Sequence, residues 1–303
     1  MTYKIAALYR FVSVQDIPRH REALLALANE FDLCGTLLLA PEGVNGTIGS
    51  SNGGVDAVLK YLNAHFEIMK GEVKFSESSS RPFLRYKVRE KKEIVTLRQP
   101  QADPTIQVGT YVEPEDWNDL ISDPDVILID TRNDYETKIG IFEHAIDPDI
   151  QTFTQFPDYV ERNLDPQKHK KIAMFCTGGI RCEKASSYML AQGFENVYHL
   201  KGGILKYLET IPADQSKWQG ECFVFDRRVG VKHGLEEGSA KLCHGCRATL
   251  STHDLQSPHY EFGVTCPHCY SHVDAHELKI RRERHDYLMR HKLTAKSVVA
   301  VSS

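Results

Sequence analysis

No run of 18 consecutive apolar residues occurs in this 303-residue chain, which argues against a helical membrane span. The apolar start, "MTYKIAALYRFVSV", is interrupted by Arg10 and followed by no small-residue cleavage site, so it reads as a strand and not as a leader peptide. The protein is therefore expected in the cytoplasm. There is no surplus of positive charge either. The 37 Lys and Arg face 41 Asp and Glu, and a net charge of −4 speaks against a generic nucleic-acid binder. The chain also lacks a G-x-G-x-x-G fingerprint for flavin or nicotinamide, and it shows no clear two-histidine, one-carboxylate set for iron. Internal repeats and long low-complexity tracts are missing too.

What is present is an ordinary globular composition, 41% hydrophobic and 26% charged, in a chain long enough for two or three domains. Cations cluster locally despite the acidic total. Arg81 to Arg98 holds seven Lys or Arg against Glu90 and Glu93, and Lys279 to Lys296 holds seven against Glu283 and Asp286. Such runs are usually solvated faces. Interleaved Phe83, Tyr86 and Tyr287 keep RNA in consideration.

Residues 1–98 read as β-α-β-β-α-β. "YKIAALYRFV", "CGTLLLA", "GTIGS" and "EVKFSES" are strand-like, "DIPRHREALLALANEF" and "GGVDAVLKYLNAHF" are helical, and "PEGVNG" reads as a turn. That order suggests a ferredoxin-like α+β domain, with "RYKVREKKEIV" extending its edge. Nothing in it looks like a catalytic set. Residues 99–112 fit a linker, being polar with two prolines. Over residues 113–217 the strands "DVILID", "KIAMF" and "NVYHL" are separated by helical stretches, which argues for a parallel α/β sheet. Composition changes near Trp218. Nine of fourteen histidines and five of eight cysteines lie beyond it, so residues 218–303 are expected to form a small cysteine-rich module ending in a basic helical tail.

The segment "KIAMFCTGGIRCEK" carries the most chemistry. A strand ending at Cys176 and a helix starting near Arg181 place the thiol at the floor of a loop of backbone amides. Gly178 and Gly179 let that loop curl. The helix N-terminus adds partial positive charge and Arg181 a full one, which together favour thiolate over thiol. Cys176 is thus a candidate nucleophile, and Thr177, Gly178, Gly179, Ile180 and Arg181 form its anion cradle. Cys-x4-Arg is one residue shorter than the loop of tyrosine phosphatases, and a smaller ring suits a sulfur atom or small anion better than a phosphate ester. Cys182 follows at the first helical turn. It either resolves a persulfide or sulfenate on Cys176 or packs between helix and sheet, and packing is favoured.

Cys243, Cys246, Cys266 and Cys269 form C-x2-C-x19-C-x2-C, the spacing by which two knuckles supply four thiolates to a structural zinc. His244 and His268, inside the knuckles, are read as solvent-facing and not as ligands.

Two resemblances extend this reading. Residues 113–212 resemble the rhodanese family through "LIDTRNDYETKIGIFEHAI", the Cys176 loop and "YHLKGGILKY", which implies that Cys176 carries a persulfide and that Asp130 and Arg132 are structural. The whole order of "APEGVNGTI", "DTRNDYE", "FCTGGIRCEK", "GECFVFDRRV" and a cysteine-rich tail resembles the rhodanese-domain tRNA uridine hydroxylase family over residues 1–280. The resemblance implies oxygen-dependent 5-hydroxylation of the wobble uridine, with Cys176 essential, molecular oxygen as co-substrate and tRNA as partner. The residues alone suggest instead a sulfurtransferase fed by a sulfur donor, and an RNA-binding scaffold with an inert loop is the third class. Oligomeric state is not readable from the sequence.

Overall fold

The alternation of apolar residues along the first strand decides how the N-terminal domain is layered. Ala6 and Leu8 of β1 (Tyr3–Phe11) point to one face of the sheet and join a core with Leu37, Leu39, Val44 and Ile48. Helices α1 (Ile17–Ala26) and α2 (Gly54–Phe66) cover that face, contributing Leu24, Val55, Val58, Leu62 and Phe66. The computed structural model describes residues 2–68 and 72–299, the side chains of 288 and 291–299 excepted. Two cations of the basic tail, Lys292 and Lys296, therefore lie outside the described side chains. With β2 (Leu33–Ala40), β3 (Gly43–Ser50), β4 (Val73–Ser78) and β5 (Tyr86–Glu90), β1 forms a five-stranded sheet of order β4-β1-β3-β2-β5. This is the ferredoxin-like arrangement, with β5 added parallel to β2 at the edge. The turn expected over "PEGVNG" shrinks to Pro41 and Glu42, because Gly43 and Gly46 belong to β3. Both glycines sit where neighbouring backbones come close. A Cβ on Gly43 would stand 2.0 Å from the Arg10 carbonyl oxygen, and one on Gly46 2.2 Å from that of Thr36.

The central domain is built on a four-stranded parallel sheet, β6 (Thr110–Val112), β7 (Val126–Asp130), β9 (Lys171–Phe175) and β10 (Asn196–Leu200), in the order β6-β10-β9-β7. Its strands are apolar on both sides because helices cover both faces. Trp117 and Ile121 of α3 (Pro114–Ser122) pack on one face with Ile204 and Leu208 of α7 (Gly203–Thr210). On the other, α5 (Phe156–Asn163) and α6 (Ile180–Ala191) bury Phe156, Val160, Ala185 and Met189. Short α4 (Asp134–Thr137) and β8 (Gly140–Phe142) lie between β7 and α5.

Two expected boundaries move. The stretch read as a linker contributes β6, and Leu97 and Ala102 are buried in the core beneath α6. Secondly, the cysteine-rich unit does not begin at Trp218. In β11 (Trp218–Gly220), Trp218 pairs with Phe142 of β8, and its ring meets that phenylalanine edge-on at 5.0 Å. Cys222 of β12 (Cys222–Phe223) and Val231 of β13 (Gly230–Val231) are buried in the same core. The first compact unit therefore runs from Met1 to Gly238, and the second from Ser239 onward.

The second unit consists of the ribbon β14 (Lys241–Leu242) and β15 (Thr249–Leu250), the turn-sized α8 (Thr252–Leu255) and the long α9 (Ala275–Val299). Its small core is Leu250 with Cys243, Cys266 and Cys269. Arg281 ties α9 to this centre by donating to the Val264 carbonyl at 3.3 Å and to the Cys269 sulfur at 3.7 Å. Among the described residues no helix is long and apolar enough to cross a membrane.

Candidate active site

The loop after β9 is held from beneath by the start of α7. The Ile204 and Leu205 amides donate to the carbonyl oxygens of Cys176 and Thr177 at 2.9 and 3.0 Å. With its carbonyls drawn down, the loop turns amides towards the sulfur, and Gly179 N–H donates to Cys176 Sγ at 3.1 Å. Gly203 makes the approach possible. Its φ is +68°, and a Cβ there would lie 2.5 Å from the Cys176 oxygen and 2.7 Å from the Gly179 nitrogen. The glycine pair of "YHLKGGILKY" is thus part of the cradle's construction.

Arg181 does not reach into the loop as a free cation. It lies buried, donating two parallel bonds to Glu136 at 2.5 and 2.8 Å, and Glu136 also accepts from the Asn133 amide and the Thr177 hydroxyl. Asp130 and Arg132 are wholly buried and bonded to each other, with Arg132 also donating to the carbonyls of Glu136 and Gly140. That pair fastens the end of β7 to the α4 turn and does not approach the thiol loop by any hydrogen bond among the described residues.

Burial alone would raise the Cys176 thiol. A hydrogen bond from the Cys182 thiol, the Arg181 charge and the amides of Cys182 and Arg181 outweigh it and hold Cys176 well below its ordinary 9.0. Cys182 moves the opposite way, raised by burial and then by the neighbouring Cys176. It is also packed in the core beneath α6, with its sulfur 3.5 Å from the Thr131 hydroxyl. Cys182 thus packs in the core, as favoured from the sequence, and also neighbours Cys176.

The N-terminal domain also contributes to this site, which no motif in residues 1–98 signalled. The sheet face opposite α1 and α2 presents Tyr9 and Lys74 to the thiol loop. Lys74 Nζ donates to the Gly178 carbonyl at 3.2 Å and lies 5.1 Å from the centre of the Tyr9 ring. Tyr9 donates to Glu183 of α6 at 3.0 Å, and Tyr111 of β6 donates to the other Glu183 oxygen at 2.8 Å. Burial lowers Lys74 to about 8, against the pull of Cys176, Glu183 and Glu72. Burial likewise raises Glu183, against its two tyrosine donors. A lone lysine in a strand gives no sequence signal of this kind, because its burial depends on a second domain.

Above the loop lies a cavity of about 550 Å³, within the range of small-molecule sites. Cys176, Gly178 and Arg181 line its floor, Tyr9, Asn45 and Lys74 one wall, and Tyr135, Phe225 and Arg98 others. Of the seven cations in the Arg81 to Arg98 run, only Arg98 lines it.

The four C-terminal cysteines converge as their spacing requires. Their sulfurs lie within 4.8 Å of one another, with Cys246 to Cys266 at 3.7 Å and Cys266 to Cys269 at 3.8 Å. A tetrahedral ion with bonds of about 2.3 Å to sulfur needs edges of about 3.8 Å, so this set can hold a metal. Gly245 N–H and the Thr265 hydroxyl lie within hydrogen-bonding reach of Cys243 and Cys269, the outer support a thiolate site uses. The group contains neither His244 nor His268.

Residues 3–94 match the model of the UPF0176 acylphosphatase-like domain, and residues 113–210 that of the rhodanese-like domain. A protein of Rhizobium etli named tRNA uridine(34) hydroxylase is 55% identical over 279 residues, which span 92% of this chain and 90% of that one. The chain belongs to the tRNA uridine(34) hydroxylase family. Among solved structures, a protein of unknown function from Rhodopseudomonas palustris is 20% identical with a TM-score of 0.30, covering 37% of this chain and 91% of its own. A rhodanese-like domain from Anabaena sp. is 19% identical, with a TM-score of 0.30 over 37% of this chain and 80% of that one. The rhodanese-like match includes the Cys176 loop, and the four-cysteine group lies beyond both matched domains.

Proposed function

We propose that this chain catalyses the oxygen-dependent 5-hydroxylation of the wobble uridine of tRNA, in the cytoplasm, with Cys176 as the essential residue. The observation that supports this most is the near full-length similarity to a protein named for that reaction, combined with a Cys176 sulfur ringed by amides and held towards thiolate. In this reading Thr177 to Arg181 form the cradle for whatever anionic group the sulfur bears, Cys182 donates to that sulfur, and molecular oxygen is the co-substrate. Glu136 fixes Arg181, while Lys74 and Tyr9 close the N-terminal side of the loop. Cys243, Cys246, Cys266 and Cys269 hold a structural zinc, whose contribution is to fold the C-terminal unit. In the same reading the ferredoxin-like domain ends near residue 98, and the rhodanese domain takes in β6 and extends to near residue 238.

Nucleoside mass spectrometry tests it. tRNA from cells in which the gene is deleted should lack 5-hydroxyuridine at the wobble position. The wild-type gene should restore it, and Cys176→Ala should not. Unchanged spectra across these strains would refute the assignment. The loop geometry itself favours a second reading, a persulfide sulfurtransferase using a thiosulfate or protein donor, since Gly179 N–H already donates to the sulfur that would carry the extra atom. Cyanide-dependent thiocyanate formation at a useful rate would support that alternative.

A further inference from the structure

The cavity over Cys176 holds two features that the thiol chemistry does not use. Phe225, at the tip of the loop joining β12 to β13, is 57% exposed although it lines the cavity. Its position is fixed from behind. Phe223 meets it edge-on at 5.2 Å and is itself packed edge-on against Tyr135 at 5.3 Å. Arg228 anchors the same loop by pairing with Asp226 and donating to the Ser76 hydroxyl at 2.9 Å. A rigid aromatic ring is thus held half in solvent beside a reactive thiol, where apolar burial gains little from it.

The second feature is Arg98. The other cations lining the cavity are engaged, Arg181 with Glu136, Arg228 with Asp226, and Lys74 with the Gly178 carbonyl. Arg98 is exposed and forms no ion pair among the described residues, yet its backbone is strained into the left-handed region at φ +61°. Glu93 enforces that strain by accepting the Leu97 and Arg98 amides, and Lys184 of α6 holds Glu93 at 2.6 Å. A helix that begins at the thiol loop therefore also sets the turn that presents Arg98 at the cavity.

We propose that this cavity takes one unstacked nucleotide of the RNA, with Phe225 stacking on its base and Arg98 meeting its phosphodiester. The proposal rests on the RNA-modifying reading of the site and specifies how the substrate is held. Base on aromatic ring and arginine on phosphate are the recurring means by which proteins hold splayed single-stranded nucleotides.

Binding of an anticodon stem-loop RNA with uridine at its wobble position can be measured by fluorescence anisotropy, using full-length Cys176→Ala chain so that no turnover intervenes. Phe225→Ala and Phe225→Leu on that background should each weaken binding by about tenfold, the lower part of the range for one lost base stack. Phe225→Tyr should bind as the parent does. Arg98→Ala should weaken binding and reduce the slope of log Kd against log salt by about 0.7, the value for one phosphate contact on a single strand, whereas Arg98→Lys keeps the slope. Both positions are exposed, so thermal midpoints should stay near the parent's. If Phe225→Ala and Arg98→Ala bind and hydroxylate within twofold of their parents while Cys176→Ala alone abolishes product, the nucleotide assignment is overturned and the hydroxylase reading stands. If the parent chain does not bind this RNA, or Cys176→Ala still forms product, the hydroxylase reading falls and the assignment with it.

Discussion

Replacing Lys74 by methionine should make the protein more stable and its thiol less reactive. The lysine is buried beside Cys176, and burial has lowered it from 10.5 to about 8. At 1.36 kcal/mol per pH unit, that gap amounts to roughly 3 kcal/mol of destabilisation at neutral pH, already net of its attraction to Cys176, Glu183 and Glu72. Methionine keeps the chain length and sheds the charge, so Lys74→Met should gain up to about 3 kcal/mol. The sign with pH follows from the same numbers. The folded protein gives up the Lys74 proton near pH 8 and the unfolded chain near 10.5, so between them the unfolded state holds more protons and wild-type stability rises. The methionine variant should lack this rise. Urea unfolding at a series of pH values measures both effects, and the pH dependence of alkylation by iodoacetamide reports the Cys176 thiol, which should titrate higher without the nearby cation. A variant less stable than wild type by more than about 1 kcal/mol at pH 7, or one with an unmoved thiol titration, would refute the argument.

Three further outcomes follow from the same geometry. Glu136→Gln removes the partner of a buried arginine and should cost about 3–5 kcal/mol in urea unfolding, while the uncompensated Arg181 charge shifts the Cys176 alkylation profile to still lower pH. Gly203→Ala places a Cβ against the Cys176 carbonyl at positive φ, so it should lower stability by at least about 1–3 kcal/mol and slow alkylation as the amide ring opens. Elemental analysis of purified chain should find a single zinc ion per molecule, lost in Cys266→Ser, and a metal-free preparation should lose helical circular dichroism from the C-terminal unit; intact zinc content in that variant would exclude the four-thiolate site.

The elements of the two main domains were legible because their residues obey local rules. Strand β9 ends at Cys176 and α6 begins at Ile180, as the change from an apolar run through Gly178 and Gly179 to a helical pattern implies. The convergence of the four C-terminal thiols was legible because paired C-x2-C knuckles are a recurring way for a short ribbon to bring four sulfurs together. The features that sequence reading missed all depend on distant chain segments. Strand β6 is three residues of ordinary composition that become a strand only by pairing with β10. Trp218 marks a change in composition, yet it packs backward onto Phe142 because an indole that size needs an apolar wall. Lys74 and Tyr9 look like any lysine and tyrosine in a strand until a second domain buries them.

Because one domain's lysine and tyrosine close the other domain's thiol loop, the two cannot be inherited as interchangeable parts. A rhodanese domain cut free before residue 113 would keep its ring of amides but lose Lys74, Tyr9 and Tyr111 together, leaving Glu183 without its donors. Swapping in a foreign neighbour would have the same effect. Over evolutionary time, a change at any of positions 9, 74, 111 or 183 should be answered at the others, so the descent of this enzyme is that of a joint and not of two modules.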